Sequence, residues 1–323
     1  MNIHNIKAQA EEALNNTAGN YRKLFFLYGA VSLGISLLIS VLDTVLAGMI
    51  AETGGLAGIQ TRAILSTAQT ILQVINTVAL PFWMFGLVFC SLQLARGESA
   101  ECRGLLEGFC RFGPVLRLML MKLFLLLGVC MACSYVTAIL FALTPMSTNF
   151  MQTIGATLDV TDAAAVEAFL NSEDLLQQLL PAMKGYFVIY AVLLGVICIP
   201  MGLRMSMTDF VVMDQEKMGG FMAIRESFRI TRGNCLKLLG LGFGFWWYYV
   251  LGALAIVLMN LDAILLWAEV SLPVSSQVAY WVSYGVYIVA QLALLTLAAP
   301  RVQTTYAAAY MAMKEEKEEK KEE

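Results

Sequence analysis

Histidine is almost missing from this sequence: His4 is the only one in 323 residues. Histidine-based catalytic triads and metal sites built from several imidazoles are therefore excluded. Charge is scarce too, with Asp, Glu, Lys and Arg at 14% against 59% hydrophobic residues and a mean hydropathy of +0.71. Soluble domains average about 25% charged and about 45–50% apolar residues, so the chain lies outside the soluble range. No acid pair converges with a nucleophile, which argues against an enzyme and leaves no catalytic, cofactor-binding or metal-binding residues to name. The seven cysteines (Cys90, Cys102, Cys110, Cys130, Cys133, Cys198, Cys235) fall in apolar runs or basic segments. None lies in the long acidic loop, so no disulfide framework is expected. Cys130 and Cys133 have CxxC-like spacing without partner ligands and read as small packing residues.

What is present is hydrocarbon. Six apolar stretches, 24–50, 64–94, 115–143, 186–203, 238–260 and 278–299, each suit a membrane-spanning helix, which needs roughly 20 residues. They lack the alternation of barrel strands, and an unpaired backbone in lipid must be helical. The first is too long for a signal-peptide core and starts after about twenty mostly polar residues. The fold class expected is all-α: a polytopic integral membrane protein with six transmembrane helices and in-plane amphipathic helices on the cytosolic side.

Charge sorts by segment. The N-terminal segment, the links between spans two and three and between spans four and five, and the C-terminal tail hold 19 of the 21 basic residues. The other three links hold only Arg62 and Lys184. The positive-inside rule then puts both termini in the cytosol. The outer link 144–185 is long and acidic. Thr161 or Asp162 caps a helix bearing Val166, Phe169 and Leu170, and Pro181 stops the leucine run after it. It reads as an amphipathic cap lying on the bilayer, with a lid or docking surface as the alternative. The end 314–323 alternates charge and reads as a solvated, frayed helix tip, set apart from the membrane domain as a charged disordered tail. Acids outnumber bases there six to four, so nucleic acid is not expected as a partner.

Three basic stretches share a shape in which glycine precedes a basic residue and a span: Gly19 with Arg22 and Lys23, Gly113 with Arg117, and Gly233 with Lys237. An amphipathic segment precedes each, at 6–17, 102–112 and 221–231. In the last, Phe221, Ile224, Phe228 and Thr231 share one face, and Arg225, Arg229 and Arg232 share another. The physical reading is an in-plane helix with its apolar face in the inner leaflet and these arginines against anionic lipid phosphates. Residues 1–313 then form a single six-span domain, with three candidate units at 6–95, 100–203 and 219–310.

Polar groups inside the spans carry the remaining information. Ser66, Gln69, Gln73 and Asn76 form one helical stripe on span two. Lipid cannot satisfy amides, so the stripe faces other helices or a wet cavity. Interhelical hydrogen bonding, with Asn260 and Gln291 as candidate partners, is the preferred reading over a solute path. Asp43 is interfacial if span one ends near Val45. If the span runs to Ile50, it is a candidate ion or proton site. Gly29, Ser32, Ser36 and Ser40 on span one, and Gly240 and Gly244 on span five, are small residues that let helices approach closely. Trp246, Trp247, Tyr248 and Tyr249 sit too far along span five as drawn for an interfacial belt, and read as interhelix residues unless the span begins later.

Several local patterns carry a resemblance. They are Leu94-Ala95-Arg96-Gly97-Glu98, Gly108-Phe109, Arg111-Phe112, Ile199-Pro200 before Met205-Ser206-Met207, and Asp214. Ala223, Glu226-Ser227, Gly233, Pro300, Tyr306 and Tyr310 follow, and Ile6-Lys7-Ala8-Gln9-Ala10 with Gly19-Asn20 matches the opening. In these the chain resembles a bacterial multi-pass membrane family known as domain of unknown function 975. It departs at Met201, where glycine is usual, and at Arg301, where an aromatic is usual. The resemblance implies a six-span plasma-membrane protein and assigns no activity. The expectation is a non-catalytic scaffold, assembly or regulatory component of the cell membrane, contacting anionic headgroups and a membrane-protein partner. The alternative is a transporter or channel for a small solute or lipid, with Pro200 interrupting span four.

Overall fold

The computed structural model describes residues 3–16, 20–52, 58–148, 173–215, 218–260 and 276–322, which form helices and short turns. In order these are α1 (Ile3–Asn16), α2 (Asn20–Glu52), α3 (Gly58–Ala95), a 3-10 turn (Cys102–Leu106), α4 (Glu107–Cys110) and α5 (Phe112–Ala142). After these come α6 (Glu173–Met205), α7 (Thr208–Asp214), α8 (Gly220–Thr231), α9 (Cys235–Phe243), α10 (Trp246–Met259), α11 (Ser276–Leu297) and α12 (Ala299–Glu322). Among the described residues, five stretches are long and apolar enough to cross a membrane: Tyr21–Met49, Thr61–Ala95, Phe112–Ala142, Lys184–Asp214 and Tyr280–Leu297. The pair α9 and α10 makes a sixth only if taken together, because it bends by 61°.

The bend corrects the expected interruption at Pro200. α6 runs unbroken through both Pro181 and Pro200, so Pro181 does not end a helix and 173–185 belongs to α6 rather than to a loop. A proline inside a helix removes one N–H donor and crowds the carbonyl one turn back, and α6 accommodates both prolines without a break. Gly240, Gly242 and Gly244 instead weaken span five within five residues, each by about 1 kcal/mol relative to alanine. The helix ends at Phe243 and the chain turns at Gly244 and Phe245. α10 therefore starts at Trp246, which puts Trp246, Trp247 and Tyr249 exposed at its beginning and leaves Tyr248 half-buried. Tyr248 packs against the core and the Tyr249 hydroxyl lies 3.1 Å from that of Tyr306 on α12, as expected of interhelix residues, whereas Trp246 is exposed. The Thr161 or Asp162 cap, Val166 and the rest of 149–172 lie outside the described residues, as does Gly19.

The chain forms two compact units, residues 1–118 with 206–323, and residues 119–205. In the first, Leu14, Leu24, Phe25, Leu87, Cys90, Leu94, Leu105 and Ala299 form the core, drawn from α1, α2, α3, the 3-10 turn and α12. α2 lies on α3 and α11. Its small-residue face is used as expected: a methyl at Gly29 would touch Leu292 and Leu295, and Ser40 Oγ meets the Tyr280 hydroxyl at 3.2 Å. The closest backbone approaches are at Gly86 and Gly108. A Cβ at Gly86 would collide with the Leu105 carbonyl oxygen, and one at Gly108 with that of Phe82. Phe82 then stacks on Phe112 with ring centroids 4.8 Å apart.

The amphipathic segments pack on protein rather than presenting their apolar stripes to a leaflet. α1 buries Ile6, Ala10 and Leu14 against α12 and α3. α8 buries Ala223, Ile224, Ser227, Ile230 and Thr231 against α7 and α12, with Phe221 and Met222 outside. The segment 102–112 forms only the 3-10 turn and one turn of α4, and Gly113 is an ordinary residue of α5. Among the described glycines of the proposed motif, only Gly233 makes the turn, with φ of 90°. Lys314–Glu322 continues α12 as helix.

In the second unit, α5 and α6 meet through tyrosine. Ser134 Oγ lies 3.2 Å from the Tyr186 hydroxyl, Phe141 packs edge-on to Tyr186, and Tyr190 stacks on it. Both helices also carry exposed apolar side chains, Phe124, Ile139, Val192 and Val196 among them.

Candidate functional site

Asp214 ends α7, where a carboxylate opposes the negative end of the helix dipole. Its side chain is only 6% exposed, so burial adds to the penalty. Three donors offset both terms. Lys314 Nζ lies 2.7 Å and the Tyr310 hydroxyl 2.9 Å from Oδ2, and Arg96 Nη2 pairs with Oδ1. Tyr310 and Lys314 are four residues apart on α12, one above the other on the same face. Arg96 is placed by the end of α3, where Gly97 takes φ of 75°, the left-handed conformation that closes helices.

A second arginine completes the knot. Arg111 donates Nη1 to the Met213 carbonyl at 3.0 Å, satisfying a backbone acceptor in the last turn of α7. Its Nε reaches Glu107 at 2.9 Å, and the guanidinium lies over the Phe89 ring at 5.5 Å. Burial, then the adjacent Asp214 carboxylate, pushes the Tyr310 phenol well above the usual tyrosine range and keeps it a donor. α3, α4, α7 and α12 are thereby tied at one point.

The turn at Gly233 is fastened from the same helix. Lys317 Nζ donates to the Arg232 carbonyl at 3.1 Å, and Asn234 Nδ2 to Glu316 at 3.3 Å. The three arginines proposed for lipid phosphate separate here. Arg225 and Arg232 are exposed, whereas Arg229 pairs with Glu226, donating Nε at 2.8 Å. That hydrogen bond raises the basicity of Arg229 further.

Within the spans, Gln73 Nε2 donates to Asp43 Oδ2 at 3.2 Å, joining α3 to α2. The other carboxylate oxygen of Asp43 and the amide oxygen of Asn76 are buried without a hydrogen-bond partner. Ser66 turns back to the Ala63 carbonyl of its own helix, and Gln69 is half-buried. Asn260 donates to the Ile256 carbonyl one turn earlier rather than to the stripe. α2 continues to Glu52, nine residues beyond Asp43.

Arg96, Arg111, Asp214 and Tyr310 all belong to the patterns that carried the family resemblance, and the fold brings them together. Lys314 was missed because the run after it reads as solvated charge. Its spacing of four from Tyr310 was the available signal. Among the described residues no group of three or more His, Cys, Asp or Glu side chains is placed to hold a metal.

The described residues, helical throughout apart from short turns, with five or six stretches long and apolar enough to cross lipid and buried charge tying helix ends, are compatible with a multi-span membrane protein. The family model described as a protein of unknown function (DUF975) matches residues 1–317, and the chain belongs to that family. No curated protein and no solved structure matches it.

Proposed function

We propose that this protein is a non-catalytic component of a bacterial plasma membrane, a scaffold, assembly or regulatory subunit, with both termini in the cytosol. The observation that carries the reading is that its polar groups are used on one another. Asp214 closes on Arg96, Tyr310 and Lys314, and Gln73 closes on Asp43. Such pairs hold helices in register, and the exposed Arg225 and Arg232 remain for anionic headgroups. Purification from native membrane in mild detergent tests it: a stoichiometric membrane-protein complex supports the subunit role, and a chain that purifies alone overturns it. Reporter fusions at each terminus and within 225–232 test the orientation, and an external signal at any of them refutes it.

One observation favours a transporter instead. The buried Asp43 and Asn76 oxygens without hydrogen-bond partners are the kind of group that a permeating cation or polar solute would contact. Proteoliposomes whose flux is lost on Asp43→Asn would select that reading, and flux indifferent to it would remove it.

A further inference from the structure

The break between α9 and α10 opens a cavity of about 190 Å³ lined by Lys7, Glu11, Phe245, Trp247, Arg301 and Thr305. Lys7 reaches it from α1 with Nζ 4.8 Å from the centre of the Phe245 ring. The missing side chain at Gly244 makes room for it, since a Cβ there would strike the ammonium. Arg301 faces the same space from the first turn of α12, and the Thr305 hydroxyl is turned to the Arg301 carbonyl at 2.6 Å. Glu11, exposed on α1, is the one acid in the lining, so two cations are opposed by a single carboxylate. α10 begins here, and its cap residue Phe245 offers its first turn no side-chain acceptor. The positive end of that helix dipole adds to the two cations.

Trp247 also belongs to a second cavity, a furrow of about 330 Å³ between α10 and α11. Its lining is entirely apolar, with Leu251, Leu254, Leu258, Ala293 and Leu294 among its walls. Ala298, at its end, is three residues before Arg301 in the chain. A cationic, partly polar chamber and a greasy furrow thus share one amphipathic tryptophan in their walls.

We infer that this pair of cavities is a selective binding site for an anionic membrane lipid. The phosphate sits between Lys7 and Arg301, and one acyl chain lies in the α10–α11 furrow. The charge decides the class of ligand: a free phosphate has no use for the furrow, and a zwitterionic headgroup brings its own cation toward Lys7 and Arg301. The inference rests on the membrane reading of the chain but not on the scaffold role or on the arginines of α8.

The test uses the full chain in vesicles and reads quenching of its tryptophan fluorescence by lipids brominated on the acyl chain. Phosphatidylglycerol is compared with phosphatidylcholine carrying the same chains. The Trp247→Phe variant isolates the contribution of Trp247. Two cations near a headgroup favour the anionic lipid on the order of tenfold at Trp247. Lys7→Gln with Arg301→Gln should bring that ratio to about one while phosphatidylcholine quenching stays unchanged. Glu11→Gln, an exposed change that leaves packing alone, should increase the ratio. Equal quenching by the two lipids in the unaltered protein means ordinary boundary lipid and overturns the site, as does a ratio that survives the double substitution or is unmoved by Glu11→Gln. Absence of quenching by either lipid would refute the membrane reading itself, a different outcome from loss of selectivity.

Discussion

Replacing Asp214 by asparagine keeps the shape of the knot and removes its charge. Three interactions change, and their exposure sets their weights. The Tyr310 bond is buried and goes to a charged acceptor, a class of contact worth about 1.5–3 kcal/mol. Lys314 is 30% exposed and Arg96 37%, so each is screened toward the surface-pair range of about 0–1 kcal/mol. An asparagine oxygen still accepts one hydrogen bond, which leaves a net loss of about 2–3 kcal/mol. At about 2–4 °C per kcal/mol for a chain of this size, the melting midpoint should fall by about 5–10 °C. A thiol-reactive dye reads it in detergent, because Cys90 and Cys133 are buried and react only on unfolding. Cys102 and Cys110 are exposed and Cys130, Cys198 and Cys235 half-buried, so the first two are replaced by serine and the other three by alanine to remove the background. Tyr310→Phe should cost less than Asp214→Asn, and Arg96→Gln less again. A midpoint for Asp214→Asn within about 1 °C of the parent, or the reverse order among the three, would refute the assignment of Asp214 as the acceptor that ties these helices.

Gly108→Ala forces a methyl into the Phe82 carbonyl and should destabilise by about 1–3 kcal/mol, whereas Gly113→Ala meets open space inside α5 and should be neutral or stabilising. The same dye assay separates them, and a loss at Gly113 would restore it as a turn residue. Gln73→Leu removes the amide on Asp43 and should lower stability by about 1 kcal/mol, with most of it regained in the Asp43→Leu, Gln73→Leu double variant. Additive losses in that cycle would show that the two residues do not interact. Because the Tyr310 phenol is held above its unfolded value of about 10, the unfolded chain loses that proton first as pH rises. Stability from this group is complete below about pH 10 and declines above it, so the parent should lose more than Tyr310→Phe on going from pH 9 to 11. Parallel decline of the two midpoints would contradict the buried phenol–carboxylate bond.

Span positions were legible because run length and hydropathy are local properties: each expected stretch overlaps a described helix to within a few residues at most ends. Where a span breaks was not, since Pro200 is a stronger local signal than three alternating glycines, yet the chain bends at the glycines. Face assignment failed for a related reason. Hydrophobicity showed that Ile6, Ala10 and Leu14 form a stripe, but a leaflet and a neighbouring helix are equally apolar covers, and α12 supplies the cover here. In α8 the buried stripe contains Ala223, Ser227 and Thr231, small residues chosen by close approach, while Phe221 is left outside. The knot was legible in its parts. Its assembly required residues 96, 111, 214 and 310 to meet, and no local pattern encodes that.

Counting lysines and arginines along a chain treats every base alike, and the fold divides them. Arg96 and Lys314 are closed on Asp214, Arg111 on Glu107, and Arg229 on Glu226. The Arg111–Glu107 and Arg229–Glu226 pairs carry no net charge to a headgroup and the Asp214 cluster keeps a single positive charge, whereas exposed Arg225 and Arg232 retain theirs in full. The charge sorting that orients a membrane protein acts while the chain inserts, before such pairs exist, so all of these bases count toward topology. Afterwards only the outward ones can attract lipid. In the proposed topology the same side chains serve orientation first and helix registry second, and a basic segment can be rich in arginine and still rest on protein.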